Sequence, residues 1–296
     1  MRLGLSCTSF TWPGGSAAIS EGYARAARAA EERGLYSFWV MDHFWQINGL
    51  GPPEEPMLES YSALAYAAAL TNRVTLGALV TGAPYRPPGL LIKEVTTLDV
   101  LSGGRAVLGI GAGWNQDEAR GLGLPFAPLS ERYEMLEETL QIAHQMWTGD
   151  QVPFQGKHFR LRRPLNSPEP ISRPHPPILV GGNGEKKTLR LVARYADACD
   201  LFEGVDVRHK LNVLRQHCQD AGRDYYAIEK TLHFRIKEED DVDRTVERCT
   251  AWAADGIQHA IAGVPDAAAR RWQDHLGEVA ERIEKVVSAD DSGDDH

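Results

Sequence analysis

An apolar run, Phe38-Trp39-Val40-Met41, ends on Asp42 and His43 and then resumes as Phe44-Trp45. A carboxylate and an imidazole among so many apolar groups are costly to bury unless something there pairs with them or uses them. His43 has three readings: a proton donor or base, a hydrogen-bond donor to a ligand ring, or a structural histidine capped by Asp42. Trp12, Trp39, Trp45, Tyr85 and Trp114 stand near other expected strand ends and suit a planar ligand, although each taken singly reads as core packing. Two glycine-rich stretches add to this. In "GIGAGW" (109–114) glycines alternate at 109, 111 and 113, which either lets a flat ligand or a phosphate approach the backbone or permits tight strand-to-helix packing. In "GGNGEKKT" (181–188) Gly181, Gly182 and Gly184 flank Asn183 ahead of a helix. Its exposed N–H groups would attract an anion, with Lys186 or Lys187 adding charge; an ordinary βα turn is the alternative.

Other chemistries lack their residues. "GIGAGW" misses the dinucleotide fingerprint, because Trp114 stands where the last glycine belongs, and "GGNGEKKT" has not the spacing of a P-loop. The histidines are scattered with no H-x-H or H-E-x-x-H pattern, so no metal site is expected. Cys7, Cys199, Cys218 and Cys249 lie far apart and read as reduced core thiols. No nucleophile elbow occurs, and Glu203 has no evident carboxylate partner for glycoside hydrolysis. A formal charge of −9 argues against nucleic-acid binding, which needs a basic face. No apolar stretch is long enough to span a membrane, and the N-terminus lacks the apolar core of a signal peptide, so the expectation is a cytoplasmic protein. Shape, glycines and aromatics without nucleophiles favour a borrowed cofactor.

The elements that must position these residues alternate along the whole chain of 296 residues. Eight β-rich runs, each followed by a helical stretch, predict an α/β fold of the TIM (β/α)8 barrel kind, whose functional residues sit at the C-terminal ends of strands. Asp42 and His43 then fall at the mouth of strand two. A helix is expected over 20–33 with Ser20 as its cap, another over 88–101, and a last one over 266–287. The proline-rich stretch 150–176 breaks the rhythm and reads as an excursion inserted after the fourth unit, a hairpin with a lid-like loop. Residues 1–288 would form one barrel domain, and 289–296, with four aspartates, a disordered acidic tail.

Three blocks, "VMDHFW", "VTLGALVTGAPYRPPGLLIKEVTTLDVLSGGRAVLGIGAGWNQDEARGLGLPF" and "PILVGGNGEKKTLRLVARYADACDLF", together resemble the luciferase-like monooxygenase superfamily. More narrowly, they resemble its oxidoreductases that use the deazaflavin coenzyme F420. The resemblance runs in order from residue 1 to about 285 and implies a barrel with a deazaflavin, or alternatively FMN, in its mouth. It implies a cis non-prolyl bulge at Leu79 and Val80, beside Thr81, that supports the ring from behind. By analogy Asp42 would contact the polar edge of the ring and His43 would be the acid or base facing the substrate. Gly111, Ala112, Gly113 and Asn115, with Gly181, Gly182, Asn183, Gly184 and Glu185, match stretches that wrap the cofactor's side chain and phosphate. Trp12, Trp45, Tyr85 and Trp114 would line the substrate pocket. One departure stands out: the sugar-phosphate dehydrogenases of the superfamily carry a proton-donating Glu where Trp114 stands, which points to a more apolar substrate.

The expected activity is hydride exchange between F420 and a small organic substrate with an activated C=C, C=N or C=O bond, or its reduced form. A reduced-FMN monooxygenase served by a separate reductase, and a flavin-binding protein without turnover, remain as alternatives. Family resemblance suggests a homodimer. Arg160, Arg162 and Arg163 of the excursion would either close over an acidic ligand or form a solvated face.

Overall fold

Short apolar runs become strands in this chain because each is followed by a helix that covers its outer side, so both faces of the sheet are buried and the runs need not alternate strictly with polar residues. The computed structural model describes residues 1–291, with side chains through 285. Its strands are β1 (Arg2–Cys7), β2 (Ser37–Val40), β3 (Thr75–Ala78), β4 (Ala106–Gly111), β5 (Ile178–Gly181), β6 (Ala198–Phe202), β7 (Glu229–Arg235) and β8 (His259–Gly263). A two-residue strand, Thr81–Gly82, continues β3 beyond the Leu79–Val80 interruption. All of these pair in parallel in sequence order. The β1–β8 and β3–β4 pairings close the ring into a TIM barrel, as the eightfold alternation predicts.

The covering helices are α1 (Ser16–Glu32), α2 (Ser60–Leu70), α3 (Pro88–Ser102), α4 (Gln116–Gly121), α5 (Leu129–Trp147), α6 (Thr188–Tyr195), α7 (Val207–Ala221), α8 (Val242–Ala254) and α9 (Arg270–Asp291). α1 begins a turn before the expected Ser20, behind Gly15, and stops at the left-handed Gly34. α9 carries on through Asp291, so 289–291 of the expected tail are helical, while 292–296 lie outside the described residues. The large core between strands and helices includes Leu5, Leu64, Leu76, Leu108 and Val180. A second, smaller cluster, Trp39, Leu179, Ala198 and Ile261 with Leu79, Val80 and Val107 against it, fills the barrel itself. Below it, at the first residues of β2 and β8, Trp39 Nε1 donates to Ser37 Oγ, which also bonds His259 Nε2 at 2.8 Å. His259 in turn faces Glu229, so the bottom of the barrel is closed by a satisfied polar plug.

The excursion is a strap on the outside of the barrel. It makes a short antiparallel hairpin, Phe154–Gln155 with Arg160–Leu161, whose turn is gripped by Glu138 of α5 through the N–H groups of Lys157, His158 and Phe159. The returning chain is pinned to α3: Asp99, fully buried, accepts from the N–H groups of Ile171 and Ser172 and from Ser172 Oγ. Asn166 Nδ2 reaches Thr96 Oγ1 at 3.1 Å. The lid-like expectation is corrected on this ground, because buried Asp99 of α3 and half-buried Glu138 of α5 hold the segment against the outer helices. Arg163 Nε is spent on Gln151, and Arg160 and Arg162 stand on the same strap.

Candidate active site

β2 delivers His43 to the mouth, and α4 fixes its orientation. Asn115 Oδ1 accepts from the Glu118 N–H and so caps α4. Glu118, one turn on, has no exposed surface and reaches across to the β2 loop. Its Oε2 meets His43 Nδ1 at 2.9 Å and accepts from Tyr85 Oη at 3.2 Å, while Oε1 accepts from the N–H groups of Phe44 and Trp45. Gly121, a further turn along, takes the Trp45 ring so closely that a Cβ there would lie 2.1 Å from it. Burial by itself would raise the Glu118 carboxyl. The His43 ring and the backbone donors of Trp45 and Phe44 outweigh it, and the group is held below the usual carboxylate range. Burial and then the neighbouring Glu118 charge push the Tyr85 phenol well above its ordinary value, so it stays a donor.

An ionised Glu118 can only accept, so Nδ1 of His43 carries the hydrogen, and the other ring nitrogen is left to act. Among the described residues Nε2 of His43 makes no hydrogen bond. Trp114, 60% exposed, stands edge-on to the imidazole with centroids 5.3 Å apart. Sequence reasoning missed Glu118, although Asn115-x-x-Glu118 is a legible helix start.

Asp42 is used differently from the expectation. It lies behind the mouth wall, bound by Nη1 and Nη2 of Arg86 at 2.7 and 3.0 Å and by Ser60 Oγ at 2.6 Å, with its side chain 1% exposed. Arg86 also pairs with Glu59 and Glu94 and stacks over Tyr61. Thr81 Oγ1 bonds Tyr61 Oη at 2.8 Å. These groups tie Asp42 into the wall and hold the β2 and β3 ends in place.

The Leu79–Val80 peptide bond is cis, at the position the resemblance implies. Much of the glycine spacing answers to this bulge. A Cβ at Gly109 would lie 2.0 Å from the Ala78 carbonyl oxygen, and at Gly111 or Gly181 it would press on the Val80 side chain at 3.0 Å. The glycines of β4 and β5 therefore seat Val80 as a wall of the mouth.

Around that wall α5 bridges the two glycine loops. Arg132 Nη1 donates to the Gly113 carbonyl at 3.0 Å, and Tyr133 Oη bonds Thr188 Oγ1 at 2.8 Å, where α6 begins. Lys187 lies over the Tyr133 ring. Arg132 is 8% exposed, stacks on Phe126, and has no carboxylate within ion-pair distance among the described residues; its buried Nε has no partner at all. A buried, unpaired guanidinium beside a glycine loop fits an anionic group. Asn183 is engaged elsewhere, accepting from the Phe202 N–H, and Glu185 turns outward to Lys210 and His209 of α7. Ala112 and the positive-φ Gly113 and Gly182, with Gly184 packed beneath Tyr133, remain as backbone lining.

Of the expected pocket aromatics, only Trp114 stands open beside His43. Trp12 is buried over Gly22, its Nε1 donating to Asp266, and Trp45 and Tyr85 serve Gly121 and Glu118. A second acid–base pair went unread in the sequence. Asp200 on β6 is 1% exposed; its Oδ1 accepts from Thr231 Oγ1 and its Oδ2 faces His233 Nδ1 at 2.6 Å on β7. The signal was available, since "ACDLF" and "KTLHF" set an aspartate and a histidine among apolar strand residues, as "SFWVMDHF" does. No cluster of three or more metal-ligating side chains occurs among the described residues, and none of their helices is long and apolar enough to cross a membrane.

The chain is similar to known proteins along most of its length. The luciferase-like monooxygenase family matches residues 1–291. An F420-dependent glucose-6-phosphate dehydrogenase of Nakamurella multipartita is 31% identical, over 82% of this chain and 71% of that protein. Among solved structures, an F420-dependent secondary alcohol dehydrogenase in complex with an F420-acetone adduct superposes with a TM-score of 0.79 at 18% identity, covering 95% of this chain and 98% of that one. The EDTA monooxygenase of Chelativorans sp. BNC1 does so with a TM-score of 0.80 at 16% identity, covering 95% and 93%.

Proposed function

This chain belongs to the luciferase-like monooxygenase family, and from that premise we propose that it is an oxidoreductase that moves a hydride between coenzyme F420 and a small organic substrate with an activated C=C, C=N or C=O bond, or its reduced form. The observation that carries the reading is His43, fixed at Nδ1 by a buried carboxylate and left with Nε2 free at the barrel mouth. The similarity to an F420-dependent dehydrogenase supports the choice of cofactor.

Coenzyme F420, when bound, supplies a carbon centre that gives or accepts the hydride. The chain's own residues do the rest. Val80, backed by Gly109, Gly111 and Gly181, forms a wall against which a flat ring can rest. Arg132 and Lys187, with the backbone of 111–113 and 181–184, would hold the acidic tail. His43 Nε2 gives the substrate its proton in the reductive direction or takes it in the oxidative one, and Glu118 steadies the imidazolium in either case. Trp114, standing where the sugar-phosphate dehydrogenases that the chain resembles carry a proton-donating Glu, gives an apolar rim and favours an apolar substrate.

The test is fluorescence titration of the purified protein with oxidised F420 and, separately, with FMN. Micromolar or tighter binding of F420 with much weaker FMN binding is expected. The reverse preference would move the protein to reduced-flavin monooxygenation, and binding of neither would sink the reading.

A further inference from the structure

β3 and β7 lie four staves apart in the closed ring, so the Leu79–Val80 wall and His233 face each other across the mouth. A ring resting on Val80 therefore leaves His233 on the substrate's side. Asp200 is buried with no Lys or Arg beside it among the described residues, and its charge is met by the imidazole alone, with Thr231 Oγ1 as a neutral donor. A buried carboxylate so placed orients its histidine and favours the charged ring. The other charged groups nearby have partners of their own: Glu203, whose N–H donates to the His233 carbonyl, binds Arg248 of α8, and Arg235 Nη1 donates to the Gly49 carbonyl. The Phe202 ring lies 4.4 Å from the imidazole, itself 41% exposed, and gives an apolar flank. The His233 side chain is 36% exposed, and among the described residues its Nε2 makes no hydrogen bond.

We propose that His233, held by Asp200 on the wall opposite the Leu79–Val80 bulge, is a substrate-binding group whose Nε2–H takes a carboxylate or carbonyl oxygen of a substrate with a flat apolar portion. The proposal rests on the hydride-transfer reading, because that reading puts the cofactor ring on the bulge side. Asp200 is the positioning residue. Burial lowers the tendency of the His233 ring to hold a proton, but Asp200 and then Glu203 reverse this and keep the ring protonated to higher pH than usual. The mouth thus carries two histidines with separate tasks, proton handling at His43 and substrate orientation at His233.

The experiment is a ring-selective 1H–13C NMR titration of 13C-histidine-labelled protein with benzoate, acetophenone and benzyl alcohol, the His233 signal being identified by its loss in His233→Phe. Saturable movement of that signal is expected with benzoate, acetophenone or both, at affinities at least tenfold tighter than for benzyl alcohol; which one binds separates carboxylate from carbonyl recognition. His43→Gln should keep this preference and His233→Phe should lose it, while Asp200→Asn should lower the titration midpoint of the His233 ring. Probes that move only His43, that move no histidine, or that bind His233→Phe as they bind the wild type would overturn the proposal, and His233→Gln gives the same assignment and the same comparison should His233→Phe not fold. F420 titration is run beside it. Loss of F420 binding in His233→Phe alone makes the residue a cofactor contact and also overturns it, whereas no F420 binding by the wild type defeats the hydride reading instead.

Discussion

At the scale of single residues, the nitrogen that Glu118 does not hold decides what His43 can do. Nδ1 is committed to a fully buried carboxylate, so proton exchange is confined to Nε2. Replacing His43 by Ala should lower kcat by about 10²–10⁴-fold, the span typical of a lost acid–base group, while F420 affinity changes no more than severalfold. Stopped-flow turnover and equilibrium titration separate the two. Glu118 makes a different prediction. Its folded carboxyl is depressed, so its stabilisation is fully present above the ordinary glutamate value of about 4.3 and is lost as pH falls through the lower folded value. Glu118→Gln should therefore destabilise the protein at pH 7 by about 1–3 kcal/mol, and the difference in melting temperature from wild type should shrink steadily on acidification below pH 4. A deficit that stays constant with pH would show that the charge of Glu118 plays no part.

At the scale of elements, α4 is small but decisive: in its two turns Asn115 caps, Glu118 orients His43, and Gly121 receives Trp45. The strap over 150–176 shows the opposite case, a long segment pinned to the outer helices α3 and α5. Asp99 anchors it through three donors and has no exposed surface. Asp99→Asn should cost about 1–3 kcal/mol of stability by denaturant melts. Replacing Arg160, Arg162 and Arg163 together by Ala should leave F420 affinity within about twofold, because these residues stand on the outer strap; a tenfold loss would restore the lid that the structure argues against.

For the whole molecule, a barrel with an unpaired Arg132 near its mouth should gain stability from an anionic ligand. F420 at about 100 times its Kd should add about 2.7 kcal/mol, a rise in Tm of roughly 4–5 °C for a chain of this size. Arg132→Met should lose most of that rise while melting close to wild type without ligand, by differential scanning calorimetry. The sequence alone determined the eightfold alternation and the place of Asp42 and His43 at a strand end, and its family resemblance implied the Leu79–Val80 position. These are local facts of pattern and motif, carried by residues adjacent in the chain. The tertiary structure alone decided which polar groups are free. Asp42 is taken by Arg86, 44 residues on, and His43 is oriented by Glu118, 75 residues on. His233 is anchored by Asp200, 33 residues back, and the excursion is a strap because Asp99 reaches Ser172. Hydrogen-bond partners so far apart in sequence are brought together only by closure of the barrel, and a buried polar side chain gets its role from the partner it meets there.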